Sequence, residues 1–263
     1  MKGYYEDRFR AMLPRRAYTL IRVDGKAFHT YTANLDKPFD IGLVEDMNLT
    51  AVKLCESIMG AQLAYVQSDE ISILITDFDK LETQAWFDGN LQKICSVSAS
   101  IATSAFNEAR MKRWFSDSYD SFAERWPTNW PKIGQFDSRV FQIPCKTEVE
   151  NYLIWRQQDA TRNSISSVAQ SMYSHKELEG KNSSQLQEMI FQRGTNWNDL
   201  DDGLKRGRVI MRMVAQKVIR QNVIIDVNSW QARSAPIFTR DRMFLDWLIP
   251  ELDPREPVND EIL

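Results

Sequence analysis

The feature that most constrains the fold is a pair of apolar runs, Gln62-Leu63-Ala64-Tyr65-Val66 and Ile71-Ser72-Ile73-Leu74-Ile75, separated by Ser68-Asp69-Glu70. Both runs are rich in strand formers, so they predict a β-hairpin of buried strands with the two acids at or near its tight reversal. A carboxylate at a buried strand end is costly to desolvate unless a cation or hydrogen bonds compensate, and a divalent metal is a natural partner. A solvated turn uses the same residue types, so the hairpin alone leaves that choice open.

A second stretch adds a third acid. Ala17-Tyr18-Thr19-Leu20-Ile21-Arg22-Val23 predicts another strand, which ends in Asp24-Gly25-Lys26-Ala27-Phe28-His29. Gly25 lets the backbone bend and approach a ligand closely. With Asp69 and Glu70 on neighbouring strands, Asp24 would complete a carboxylate cluster able to hold two Mg²⁺ ions for phosphoryl or nucleotidyl transfer.

The rest of the chain is arranged around these acids. Residues 4–13 predict a short helix stopped by Pro14. Val44, Met47, Ala51, Leu54, Cys55 and Ile58 recur at helical spacing between Ile41 and Met59, with Gly60 placed to end the helix. Strand, helix, strand, strand opens a ferredoxin-like or palm arrangement. Small residues dominate from Leu91 to Met111, as in a helix packed closely on a sheet; Lys93, one turn inside its start, opposes the helix dipole unless an anion binds there. Trp114 to Pro131 reads as an aromatic loop (Trp114, Phe115, Tyr119, Phe122, Trp126, Trp130), either a satellite core or a surface for stacking bases. Asp137 to Ile143 predicts a strand, punctuated by Pro144. Beyond it the pattern turns helical: Glu148–Tyr173, a capping box at Ser174 and Glu177, and Ser184–Gln192 before Gly194. Pro250 to Leu263 is expected to fray. The expected fold is therefore α/β (α+β): a palm-like, ferredoxin-type antiparallel sheet backed by helices over 1–143, then a mainly helical, fingers-like region over 144–263.

Composition excludes several classes. With 43% apolar and 26% charged residues, the chain is globular. No apolar run is long enough to span a membrane and residues 1–16 lack a secretory core, so a cytoplasmic protein is expected. Cys55, Cys95 and Cys145 are far apart in apolar contexts and are expected as buried free thiols. Two histidines, His29 and His175, leave no His-rich metal site. There is no Walker A or Rossmann fingerprint, so nucleotide phosphates would have to be held by metal and by Lys or Arg. The net charge of −3 argues against a broadly basic surface, yet Lys205, Arg206, Arg208, Arg212, Lys217 and Arg220 form a local basic run, either a solvated face or a phosphate contact.

Several segments occur in an order that resembles one family. Arg22 to His29, Lys37-Pro38, Tyr65 to Ser72, Phe136-Asp137-Ser138-Arg139-Val140, Trp155-Arg156-Gln157-Gln158-Asp159, Arg193 to Asn198 and Pro236 to Arg242 are similar to the tRNA(His) guanylyltransferase family and its relatives, the guanylyltransferase-like 3′-to-5′ polymerases. The resemblance implies addition of nucleotides to the 5′ end of tRNA, with ATP and GTP as substrates and two Mg²⁺ ions on Asp24, the Gly25 carbonyl and Asp69. Glu70 would support catalysis, Lys26, Ala27, Phe28, His29 and Ser68 would line the nucleotide, and Lys37 and Lys93 would meet its phosphates. Arg156, Gln157, Asp159, Arg162, Asn163 and Lys181 are the expected RNA contacts, and a homo-oligomer, dimer or tetramer, is expected. The chain departs from the pattern twice. Asn90 stands where the family often has Arg. After Asp159, the Cys-His-Ile-Asn-Asn-Leu-Tyr-Asn of tRNA(His)-specific members is replaced by Ala160-Thr161-Arg162-Asn163-Ser164-Ile165-Ser166-Ser167. That resembles the polymerases, and so implies template-directed repair of truncated tRNA. The alternatives are strict tRNA(His) guanylylation, a palm-type nucleotide cyclase and a non-catalytic RNA-binding protein.

Overall fold

The computed structural model describes residues 1–122, 131–220 and 223–252, without side chains at 117–122, 217–220 and 223–224. The strands are β1 (Tyr18–Gly25), β2 (Ala61–Gln67), β3 (Glu70–Ile75), β4 (Phe136–Ile143), β5 (Arg208–Arg220) and β6 (Val223–Ser234). The helices are α1 (Phe28–Tyr31), α2 (Ile41–Ser57), α3 (Leu91–Phe122), α4 (Lys146–Met172), α5 (His175–Leu178), α6 (Ser183–Gln192), α7 (Asp202–Arg206) and α8 (Arg242–Leu248).

All strand pairs are antiparallel, in the order β4-β1-β3-β2-β5-β6. The first four strands have the ferredoxin-like arrangement expected from strand, helix, strand, strand. Every residue of β3 is buried, which fits a central strand covered on both faces. One cover is α2 and α3: Met47, Ala51, Leu54, Ile94, Ala102 and Phe106 pack with Ile21, Val23, Ile71 and Ile73. On the other face Val149, Tyr152 and Leu153 of α4, with Phe238 and Leu245, pack with Leu20, Leu63, Tyr65 and Leu74. The sheet is thus held between two layers of helix, with its loop-bearing end free to form a cleft.

Several expectations change. Residues 4–13 form only a 3₁₀ turn at Asp7–Phe9, because Tyr4, Tyr5 and Phe9 are exposed and no apolar face is buried to support a helix. The segment from Trp114 begins helical rather than loop-like, since α3 continues to Phe122; Trp114 and Phe115 meet edge to face, whereas Tyr119, Phe122, Trp126 and Trp130 lie outside the described side chains. The region after residue 143 is helical through Arg206 and then returns to the sheet as the β5–β6 hairpin, which the sequence reading did not name. Gly207 makes that return possible: at φ 81° it passes Tyr65 so closely that a Cβ would strike the ring and its hydroxyl. All three cysteines are free, but only Cys55 is buried, Cys145 being exposed. The capping box at Ser174 and Glu177 is present. The end of the chain beyond Leu252 lies outside the described residues. No described helix is long and apolar enough to cross a membrane.

Candidate active site

The acids are assembled by strand register. Asp24 is opposite Glu70 across β1–β3 and opposite Asp137 across β1–β4. Gln67 and Glu70 close a short hairpin loop of Ser68 and Asp69, and Ser68 adopts φ 47°, the sign needed at the first position of a primed turn. The Gly25 N–H donates to the Asp69 carbonyl at 3.1 Å, tying the two acid-bearing loops together. At Gly25 a Cβ would overlap the Phe28 ring, so the tight path from Asp24 into α1 requires glycine. These groups open on a cleft of about 380 Å³, lined by Asp24, Ser68, Asp69 and Glu70 on the sheet side and by Arg156, Asp159 and Asn163 of α4 on the other.

The neighbouring acids are treated differently. Glu70 is buried and takes two hydrogen bonds from Arg156, Nε at 2.8 Å and Nη2 at 2.7 Å. The same Nη2 reaches Asp159 at 3.0 Å, and Asp159 also accepts from Arg162 at 3.2 Å. Asp69 has no cationic partner among the described residues. Burial raises its pKa first and foremost; its own backbone N–H and the Ser68 hydroxyl oppose the rise, while the charges of Asp24 and Glu70 add to it. Among the described residues the only cation near Asp24 is Arg139, at 3.8 Å, a side chain shared with Asp137 and half exposed.

This donor set fits magnesium. Asp24, Asp69 and the Gly25 carbonyl offer hard oxygens beside a half-buried, uncompensated carboxylate. Among the described residues no three acidic, His or Cys side chains gather around one point. Mg²⁺ does not need that, since it keeps several waters and uses one or two carboxylates together with substrate phosphates.

Other expected site residues are placed less directly. Phe28 is buried among Tyr31, Phe106 and Phe136, so only its backbone is available to a ligand. Gln157 is buried and holds the later chain, Nε2 donating to the Pro236 carbonyl at 2.7 Å and Oε1 accepting from Phe238 N–H at 2.9 Å; it is a brace rather than a free RNA contact. Arg156 likewise spends its charge on Glu70. Lys37 is exposed, donates to the Thr32 carbonyl at 3.2 Å and lines a second cavity of about 180 Å³ that shares Gln67, Ser68, Asn163 and Ser167 with the cleft. Lys26, His29, Lys93, Arg162 and Lys181 are exposed and line neither space. Asn90, the departure from Arg, is the N-cap of α3: its Oδ1 accepts the Lys93 N–H at 3.1 Å. Of the basic run, Lys205 and Arg206 pair with Asp202, Arg208 is buried and Arg212 covers the Trp230 ring, so these four are engaged within the fold; Lys217 and Arg220 fall outside the described side chains. The sequence reading missed Ser166, Ser167 and Gln170, which line the cleft. They follow Asp159 and Asn163 at helical spacing, the signal that would have found them.

A family model described as "Thg1: tRNAHis guanylyltransferase" matches residues 1–144. The chain belongs to this family. A relative from Dictyostelium discoideum named "Probable tRNA(His) guanylyltransferase" is 27% identical over 223 residues, covering 80% of this chain and 81% of that protein. Two solved structures of a bacterial tRNA(His) guanylyltransferase (Thg1)-like protein are also similar. The one in complex with ATP is 42% identical with a TM-score of 0.78, over 94% of this chain and 96% of that one. The one in complex with GTP is 40% identical with a TM-score of 0.75, over 94% and 95%. As a member of the Thg1 family the protein is a nucleotidyltransferase of the tRNA guanylyltransferase type, with its acids at the loop-bearing end of a ferredoxin-like sheet.

Proposed function

We propose that this Thg1-family protein extends the 5′ end of tRNA in the 3′-to-5′ direction and repairs truncated acceptor ends by template-directed addition. The observation that supports the reading is that Asp24 and Asp69 line one cleft, their loops tied by the Gly25–Asp69 hydrogen bond, with no cation on Asp69 among the described residues and only the half-exposed Arg139, at 3.8 Å, near Asp24. In this scheme the 5′ phosphate is first activated by a nucleoside triphosphate, and the 3′-hydroxyl of an incoming nucleotide then attacks it. Mg²⁺ held by Asp24, the Gly25 carbonyl and Asp69 would supply charge neutralisation at the phosphates and a lowered hydroxyl pKa. Arg156, gripped by Glu70 and Asp159, holds α4 against the hairpin and so sets the width of the cleft. Lys37 and Lys93 are exposed point charges that would meet the phosphates.

The choice of repair rests on α4. Thr161 gives its hydroxyl to the Gln157 carbonyl within the helix, and Ser166 lines the cleft where the tRNA(His)-specific pattern has an aromatic ring. Without that ring and the preceding His, the protein would read mostly shape and phosphates, leaving pairing with the opposite strand to select each nucleotide. The names of the curated relatives favour the second reading, strict tRNA(His) guanylylation. One comparison decides: a 5′-truncated tRNA of another specificity against full-length tRNA(His) lacking its extra guanosine. Repair predicts extension of the truncated tRNA with each templated nucleotide. Preference for the tRNA(His) substrate that disappears when its anticodon is changed would restore the second reading.

A further inference from the structure

The hydroxyls of α4 fall into two groups. Thr161 donates to the Gln157 carbonyl at 2.9 Å, Ser171 donates to the Val168 carbonyl at 2.7 Å, and buried Ser164 accepts from Trp197 Nε1 at 3.1 Å. Ser166 and Ser167 lie between them on the same helix, where a bond back to the preceding turn is the ordinary outcome. Neither side chain makes a hydrogen bond among the described residues, and the amide of Gln170 is equally unspent. All three line the catalytic cleft, Ser166 and Ser167 half-buried and Gln170 exposed, so a ligand in the cleft can reach them.

With Asp159 and Asn163 these residues recur three and four apart, so they form one stripe along the α4 wall of the cleft. From Asp159 to Gln170 the stripe runs about 16 Å at 1.5 Å per residue, longer than a single nucleoside needs. Its chemistry changes along the way. Asp24, Asp69, Glu70 and Asp159 give the inner end a negative field, and Arg156, the only cation among the described lining residues, is committed to Glu70 and Asp159. A phosphate is therefore favoured only where Mg²⁺ is held, whereas the outer wall offers neutral donors and acceptors. RNA meets that wall with its sugars: a 2′-hydroxyl both donates and accepts, and the wide minor groove of an A-form helix displays it. We propose that Ser166, Ser167 and Gln170 bind 2′-hydroxyls of the RNA beside its reacting end, so that α4 selects RNA over DNA without reading sequence. The assignment rests on the proposed function, which puts RNA in this cleft. The ribose of the incoming triphosphate carries the same hydroxyl, and the length of the stripe favours the strand.

The test uses the full chain with Mg²⁺ and compares 5′-truncated tRNA with copies whose acceptor pairs nearest the truncated end carry 2′-deoxy or 2′-fluoro sugars. Both modified RNAs are expected to bind about tenfold more weakly than the unmodified one, as the loss of two or three neutral hydrogen bonds predicts. The 2′-fluoro sugar keeps the RNA helix shape but lacks the O–H. If it binds like unmodified RNA, shape alone discriminates and the proposal is overturned. The triple variant Ser166→Ala, Ser167→Ala, Gln170→Ala should weaken unmodified RNA and shrink the gap to about threefold or less. A gap that stays tenfold assigns the sugars to other residues and overturns the proposal. Alanine is the better helix former at all three positions, and the modified RNAs need no variant, so the outcome does not hinge on the variant's folding. GTP against 2′-deoxy-GTP separates the two sources of ribose: a KM difference that collapses in the triple variant while the RNA gap stays would move the contact to the nucleotide and overturn its assignment to the strand. Extension is then measured on the same RNAs. Equal kcat/KM for all three sinks the sugar contact and leaves the proposed function standing, whereas sugar-selective binding with no extension of any RNA sinks the proposed function and leaves the contact.

Discussion

Asp46 and Asp69 are both withdrawn from water, and the protein treats them in opposite ways. Asp46, fully enclosed on α2, is clamped by Arg113, Nη2 at 2.8 Å and Nε at 3.1 Å, and by Arg110 at 3.2 Å, so that α2 and α3 are joined through one carboxylate. Arg113 responds with a raised pKa, chiefly through its hydrogen bond to Asp46. Asp69, at the β2–β3 turn, has no such clamp, and its pKa rises through burial instead. A carboxylate that the fold leaves uncompensated at a cleft is available to a cation from solution, whereas one already compensated is structural. Glu70 stands next to Asp69 in the chain and beside Asp46 in its chemistry, because Arg156 satisfies it.

The largest effect should come from removing the uncompensated charge. Asp69→Asn or Asp24→Ala is expected to lower nucleotide addition by at least ~10³-fold, about 4 kcal/mol, at saturating Mg²⁺. Asp69→Asn should also raise the melting temperature. The folded-state pKa of Asp69 lies above its unfolded value, so the folded protein holds the proton more tightly, and stability falls as pH rises through that raised value. For the same reason the Mg²⁺ concentration needed for half-maximal rate should climb as pH drops below the raised value. Activity within tenfold of the parent, or a Mg²⁺ requirement that stays flat down to the ordinary aspartate range, would take Asp69 out of the site.

The compensated carboxylate should give the reverse result. Asp46→Ala leaves Arg110 and Arg113 buried or half-buried without their shared acceptor, and a loss of about 3 kcal/mol of stability is expected. Turnover per folded molecule should persist at temperatures where the variant remains folded. A variant as stable as the parent would mean that the cluster does not join the helices as argued.

Glu70→Gln sharpens the comparison from within the site. If Glu70 acts through Arg156, the variant loosens α4 against the hairpin, and turnover should fall on the order of tenfold through misplacement. Its half-saturating Mg²⁺ should not move. A shift in that concentration as large as the Asp24 variant shows would make Glu70 a metal ligand instead.

Legibility follows the range of the interaction. β1, the β2–β3 hairpin, α2, β4, α4 and the capping box at Ser174 and Glu177 declare themselves within one window of periodicity or one turn signal. The Asp24–Asp69 pairing is half legible: both loops are visible, but their approach depends on the β1–β3 register. The Glu70–Arg156 pair spans 86 residues and the Arg208–Asn48 contact 160, so no local pattern carries them. The β5–β6 hairpin was legible in principle. Its alternation is there, but counting Lys205 to Arg220 by charge conceals the apolar half of the strand and the fact that Arg208 is turned inward.

The smallest effects should fall on the lysines, which the fold barely restrains. Lys93 sits over the Phe87 ring at 5.9 Å, one turn into α3, while Lys37 borders the second cavity. Lys93→Ala deletes a charge and should raise the nucleotide KM about tenfold with kcat nearly unchanged, the signature of a contact made equally to bound substrate and transition state. Lys37→Arg keeps the charge and should raise KM only about twofold, since a point charge on a flexible stem tolerates a change in donor geometry better than a bidentate contact does. The order of the two matters more than their size. If Lys93→Ala leaves KM within twofold while Lys37→Ala raises it tenfold, the phosphates are held on the side of the second cavity rather than at the start of α3. That outcome would also suit a chain whose residue 90 is spent as a helix cap, Asn90 accepting the Lys93 N–H.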